Sequence, residues 1–238
     1  MSKKAAIRLE GLTIGYGTKV VQRDLTLCLE QGEMVCMLGR NGCGKSTLLR
    51  TLAGLQPALG GTFAIDDVAV VLTDKLTLEN TTVRDVVAMG RYPYTSFLGA
   101  LTAEDERIVD EALEEVFGNQ YSVFSGQLFN ALSDGEKQRV LIAKALAQQT
   151  PVILLDEPTA HLDLPNRIMV LRLLRRLAHE QGKTILISTH ELELALRLSD
   201  RILLMSDKGV ELNSPEALRQ SDAFERAFGM NIFDVSDL

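Results

Sequence analysis

Gly39-Arg40-Asn41-Gly42-Cys43-Gly44-Lys45-Ser46 packs three glycines, a lysine and a hydroxyl into eight residues. Glycines let a backbone turn where side chains would clash, and they bring N–H groups close to phosphate oxygens. Lys45 supplies the charge that bridges the β- and γ-phosphates of a triphosphate, and Ser46 sets a hydroxyl on Mg²⁺. An apolar run at 34–38 precedes this loop and a helix over about 45–53 follows it. The helix start adds orphan N–H donors and the positive end of a dipole. The full G-x-x-x-x-G-K-S pattern in that context is far more specific than a lone glycine-rich turn. Cys43 reads as a small loop filler, with a reactive thiol beside the phosphates as the alternative.

A second constellation ends in acids. Val152-Ile153-Leu154-Leu155-Asp156-Glu157 is four apolar residues followed by two carboxylates. Buried parallel strands deliver ligands at their carboxyl ends. Asp156 would hold Mg²⁺ through water, and Glu157 would face an attacking water as base or orienter. Alone, adjacent acids at a strand end read equally well as a solvated loop. The phosphate loop tips the balance. His190 follows the apolar stretch 184–188, where a histidine is ordinarily structural, as position alone suggests for His161 and His179. Leu132-Ser133-Asp134-Gly135-Glu136 precedes a further helix, and Ser133 with Glu136 makes an S-x-x-E capping box. That pattern in isolation reads as a helix cap; it also offers a hydroxyl and N–H groups to an anion.

The elements that must position these residues alternate. Strands are expected at 7–12 and 24–29 around a turn at 15–17, then at 34–38, 62–65 and 68–72. A helix at 103–117 shows apolar residues Ile108, Val109, Ala112, Leu113 and Val116 on one face, and Thr102 with Asp105 resembles its cap. Residues 91–132 therefore read as an inserted, mostly helical subdomain between a first core part, 1–90, and a second, 133–238. After it come a helix at 133–148, a strand at 152–156, a helix at 165–180, a strand at 184–188, a helix at 191–198 and a strand at 201–205. Such alternation argues a parallel sheet covered on both faces.

Composition narrows the function. Twenty-five basic residues stand against 32 acidic, for a net charge of −7, so nucleic acid is a poor partner. Cys28, Cys36 and Cys43 show no C-x-x-C spacing and no apolar signal core opens the chain, which reads as reduced and cytosolic. No apolar run approaches the roughly 20 residues needed to span a bilayer.

Phosphate loop, helical insert, L-S-D-G-E-K-Q-R, L-L-D-E-P-T and S-T-H, in that order, resemble the ABC ATPase family over residues 7–228. The resemblance implies an α/β P-loop NTPase fold: a mostly parallel core, an antiparallel β subdomain and an inserted helical subdomain. It implies ATP and Mg²⁺ as ligands and ATP hydrolysis as the reaction. Gly39, Arg40, Asn41, Gly42, Cys43, Gly44, Lys45, Ser46 and Thr47 would cradle the phosphates. Tyr16, in Ile14-Gly15-Tyr16-Gly17, would stack on adenine; otherwise it is a turn or core tyrosine. His190 would reach the γ-phosphate beside Glu157. Asp163 would communicate across a dimer, although locally it could be only a helix cap. Ser133, Asp134, Gly135 and Glu136 would close the ATP site of an opposing copy, so two ATPs lie between head-to-tail subunits.

Met89-Gly90-Arg91-Tyr92-Pro93-Tyr94 and the L-S-D-G-E variant are similar to ATPases of iron-chelate, haem and cobalamin importers. The implied partners are a multi-helix permease, gripped near residues 83–94, and indirectly a substrate-binding protein, with the chain held at the cytoplasmic face of the inner (plasma) membrane. Tyr92, Tyr94, Phe97 and Leu98 read either as that interface or as subdomain core. Two departures stand out. Thr73 occupies the place where relatives carry a metal-contacting glutamine, and the stretch 61–72 is short, so the β subdomain reads as trimmed. They motivate the alternatives of a non-transport ABC ATPase and a weakly hydrolysing regulatory module.

Overall fold

The computed structural model describes residues 4–72, 78–95 and 99–229. Strands β1 (Ala5–Tyr16) and β2 (Lys19–Glu30) form an antiparallel hairpin longer at both ends than the spacing predicts. The polar turn is only Gly17-Thr18, because Tyr16 and Lys19 still pair. Strand β3 (Met34–Gly39) leads into α1 (Lys45–Leu52), and β4 (Gly60–Ile65) returns to pair antiparallel with β1. The small sheet therefore runs β2-β1-β4.

The larger sheet adds β5 (Val68–Val71), β6 (Val152–Asp156), β7 (Thr184–Ser188), β8 (Arg201–Ser206) and β9 (Gly209–Asn213). Its order is β5-β6-β7-β3-β8-β9, parallel except for β9. Every residue of β3, β6 and β7 is buried, as expected for strands covered on both faces. Side chains alternate between two cores with a period of two. Met34, Cys36, Leu38, Ile153, Leu155, Ile185 and Ile187 join the helices on one side. Val35, Met37, Val152, Leu154 and Leu186 pack with the small sheet and α1 on the other. Each fully buried leucine or isoleucine contributes about 1.5–3 kcal/mol over its exposed state.

Between β5 and β6 the chain runs through α2 (Val83–Ala88), a 3₁₀ segment over Met89–Tyr94, α3 (Ala103–Phe117), the short α4 (Tyr121–Ser125) and α5 (Asp134–Ala147), a helical stretch that extends on both sides of 91–132. Helix α2 was not legible as a helix, being only six residues, yet Thr82 and Asp85 cap it reciprocally. The predicted face of α3 is buried, and Thr102 and Asp105 form the expected box. Helices α6 (Leu164–Gln181) and α7 (Leu192–Leu198) follow, then α8 (Pro215–Gln220) and α9 (Ala223–Phe228). Strand β9 also escaped the sequence reading: it is an edge strand of half-buried residues with no apolar run.

Arg91 ties the insert together. Its Nε donates to Asp105 Oδ1 at 2.9 Å and its guanidinium donates to the Ala147 carbonyl at 2.8 Å. The same group lies 4.2 Å over the Tyr94 ring. Tyr94 thus serves the subdomain with one ring face, although it stays 54% exposed and Tyr92 55%. Phe97 and Leu98, grouped with them by sequence, lie outside the described residues.

Hydrogen bonds from Thr102, then the Arg91 guanidinium, hold the Asp105 carboxyl down from 3.8 to about 2. Its contribution is present above the unfolded value and lost as pH falls through the folded one. Urea midpoints of native protein and Asp105→Asn should therefore differ at neutral pH, native being more stable, and converge as pH falls from about 4 toward about 2.

Candidate functional site

The site gathers at the carboxyl ends of three neighbouring strands. Ser188 on β7 pairs in register with Asp156 of β6 on one side and Met37 of β3 on the other. The loop after β3, the acids after β6 and the Thr189-His190 turn after β7 therefore emerge level with one another.

The loop itself is shaped by exclusion. A Cβ on Gly39 would stand 2.3 Å from the Met205 carbonyl, and one on Gly44 2.8 Å from Val21 Cγ1, with Gly44 at φ +108. Only glycine fits either place. Gln22, which the sequence reading passed over, is buried and pins the loop: its Nε2 donates to the Cys43 carbonyl at 2.9 Å and the Ser206 carbonyl at 2.8 Å. Lys45 is only 5% exposed. Its Nζ donates to Gly39 O at 2.8 Å and Arg40 O at 3.3 Å, which leaves a third proton of the ammonium for an anion. Cys43 is buried, and burial pushes its thiol pKa up against the pull of Lys45. It fills the loop as a protonated thiol, which favours the packing alternative over a reactive one.

Ser46 Oγ donates to Asp156 Oδ1 at 3.0 Å, and Ser188 Oγ donates to the same oxygen at 2.6 Å. The Glu157 N–H donates to Ser188 Oγ at 2.8 Å. Ser188, 0% exposed, thus holds both acids with one hydroxyl. Glu157 has φ +46, a left-handed conformation that costs a non-glycine residue roughly 1–2 kcal/mol. That turn brings Glu157 Oε1 to 2.8 Å from His190 Nε2. Tyr16 ends β1, 48% exposed, with its hydroxyl accepting a 3.0 Å hydrogen bond from Thr47 Oγ1.

Asn41, Gly42, Gly44, Lys45, Ser46, Thr47, Tyr16 and Glu157 line a cavity of about 350 Å³, with Lys19 and Val21 completing the wall. That volume and this mix of N–H donors, two lysines and one carboxylate suit a phosphorylated nucleotide. For a divalent ion the pertinent observation is Ser46 Oγ beside Asp156 Oδ1. Two hard oxygens fit Mg²⁺, which takes few protein ligands and completes its shell with phosphate and water. No group of three or more His, Cys, Asp or Glu that could hold a metal ion occurs among the described residues. Thr73, expected near the metal, lies outside the described residues.

The remaining residues stand apart from the cavity. None of Ser133, Asp134, Gly135, Glu136 and Asp163 lines it. Ser133 caps α5, with Glu136 Oε2 accepting from the Ser133 N–H at 2.8 Å, and these bonds lower the Glu136 pKa. Asp163 caps α6, its Oδ1 accepting from Asn166 N at 3.0 Å. Among other histidines, His179 is engaged by Asp200 at 2.9 Å. No described helix is long and apolar enough to cross a membrane.

A family model described as "ABC transporter" matches residues 22–160. The iron(3+)-hydroxamate import ATP-binding protein of Bacillus subtilis is 36% identical over 98% of this chain and 91% of that protein. A chain of an inward-facing structure described as a metal-chelate type ABC transporter superposes with a TM-score of 0.88 at 29% identity, covering 95% of this chain and 90% of that one. A dimeric post-hydrolysis ATP-binding cassette bound to ADP and Pi superposes with a TM-score of 0.73 at 27% identity, covering 88% and 98%.

Ser188 has no role of its own in the sequence pattern beyond ending a strand and opening S-T-H, although a hydroxyl at the end of a buried strand is a visible signal. Ser188→Ala leaves the Glu157 N–H unpaired and removes a donor from Asp156. Urea denaturation should show a loss of about 1–3 kcal/mol, the penalty for a buried group stripped of its partner.

Proposed function

The chain is an ATP-binding, ATP-hydrolysing member of the ABC transporter family, and we propose that it energises import of an iron-chelate, haem or cobalamin-type substrate through a membrane permease. The observation that carries this reading is the convergence of Lys45, Ser46, Asp156, Glu157 and His190 on one rim, level with the ends of β3, β6 and β7. Support for the cargo class comes from the hydroxamate-import relative and the metal-chelate type structure.

In this reading Tyr16 stacks on adenine, and the N–H groups of the 39–47 loop with Lys45 bind the phosphates. Ser46 and Asp156 would hold Mg²⁺, which when bound would withdraw charge from the phosphates. Glu157 takes a proton from water as the water oxygen bonds to the γ-phosphorus and the bond to the β-phosphate oxygen breaks, releasing ADP and phosphate. His190 orients the Glu157 carboxylate through their 2.8 Å contact. Ser133, Asp134, Gly135 and Glu136 close the ATP site of a second copy, and Asp163 faces that copy; support comes from the dimeric post-hydrolysis cassette to which the chain is similar. The chain works at the cytoplasmic face of the inner (plasma) membrane, held there by the permease. Thr73 motivates a second reading, a weakly hydrolysing regulatory module, against which the intact Glu157–His190 pair speaks.

Purified native chain should hydrolyse Mg-ATP. Glu157→Gln should lose about 10²–10⁴-fold in rate and should form an ATP-dependent dimer in sedimentation. Lys45→Ala should lose ATP binding altogether. Turnover by Glu157→Gln at the native rate would remove Glu157 as base. Absence of hydrolysis in the native chain, even with its permease, would favour the regulatory module. Co-purification of a permease from membranes tests the transport assignment.

A further inference from the structure

Asn166 belongs to no motif, yet it touches two of the residues placed at the subunit interface. Its backbone N–H donates to Asp163 Oδ1 at 3.0 Å and its side-chain Nδ2 donates to the same oxygen at 2.7 Å. Its side chain also occupies the space beside Gly135. A Cβ built on Gly135 would stand 2.7 Å from both Cγ and Oδ1 of Asn166 and 3.2 Å from its Cβ. Contacts of 2.7 Å are not tolerated, so one group must move. Asn166 can rotate aside only by giving up its Nδ2 bond to Asp163, and its Cβ, fixed by α6, remains in the way. Gly135 is therefore required by a neighbour rather than by its backbone angles, and the Asn166 amide packs where α5 begins.

We propose that Asn166 is a positioning residue for the two-copy ATPase reaction. It locks the Asp163 carboxylate to the capped start of α5, so that both reach the opposing copy as one unit. The proposal rests on the reading that two copies sandwich ATP. Among the described residues, no other side-chain bond is made by Asp163, so its Oδ2 is the oxygen left to accept a donor from the second copy. Without the Asn166 amide the carboxylate would keep only the backbone N–H of its own helix cap. Asn166→Asp keeps the shape but replaces the Nδ2 donor with an acceptor beside another carboxylate.

The test uses the full chain. ATP-induced dimerisation is measured by sedimentation in the Glu157→Gln background, and kcat, KM and nucleotide affinity in the otherwise native protein. Asn166→Asp should weaken the dimer and lower kcat by about tenfold, the scale of one hydrogen bond to a charged group. KM and nucleotide affinity should stay within about twofold, because the cradle is untouched. Gly135→Ala should lose both dimer and kcat, and Asn166→Ala, which removes the Nδ2 donor without adding a charge, should weaken the dimer and lower kcat with nucleotide affinity again unchanged, a split that general destabilisation does not produce. Native-like dimer and kcat in Asn166→Asp would overturn the proposal. So would native-like dimer and kcat in Asn166→Ala, or a fall in nucleotide affinity equal to the fall in kcat. A Glu157→Gln protein with native Asn166 that stays monomeric in ATP would instead overturn the sandwich reading beneath it.

Discussion

Ser188 lies in register with Asp156 on one flank and with Met37 on the other. That double pairing sets which atoms meet at the top of the sheet. Because side chains alternate along a strand, a slip of one residue would send Asp156 to the opposite face and break its contacts with Ser46 and Ser188. The hydrophobic alternation of β3, β6 and β7 between two separate cores makes such a slip costly. Three strands of five or six residues would each expose their sets to the wrong layer. The site is thus held by the same burial that holds the sheet, and the Ser188 hydroxyl converts that register into a fixed geometry of two acids.

Strain and compensation occur together at this point. Glu157 adopts a left-handed backbone that an L-residue avoids, and its N–H is met by Ser188 Oγ at 2.8 Å. The turn aims the carboxylate at His190 rather than along the strand. On the other wall, Gln22 reaches from the antiparallel hairpin to the loop carbonyl of Cys43, so the small sheet serves as a brace for the phosphate loop as well as a lid over the second core.

The helical insert answers to a different set of forces. Arg91 binds Asp105, the end of α5 and the Tyr94 ring, which keeps α3 and α5 aligned. The capped start of α5 is held against α6 by Gly135 and Asn166. The cavity lies at the ends of the sheet strands, and none of the residues at the capped start of α5 lines it. A function that needs both at one ATP then calls for a second copy.

Short-range pattern was enough for much of this. The phosphate loop, the buried strands, the α3 face and the three capping boxes or caps at Thr102, Ser133 and Asp163 are local, because glycine geometry, two- and 3.6-residue periods and i-to-i+3 hydrogen bonds act within a few residues. Chain order of the motifs extended that reading to the family. Long-range partners were not legible: Gln22 acts on residues 21 and 184 positions away, Ser188 on acids 31 and 32 positions away, and Arg91 on Ala147. Six-residue α2 and the edge strand β9 also carried too little periodicity to declare themselves. Residue types and their spacing determined which chemistry the chain can perform; strand register and the packing of α5 on α6 decided which atoms meet, since contacts between distant segments depend on the closed fold and leave no periodic trace along the chain.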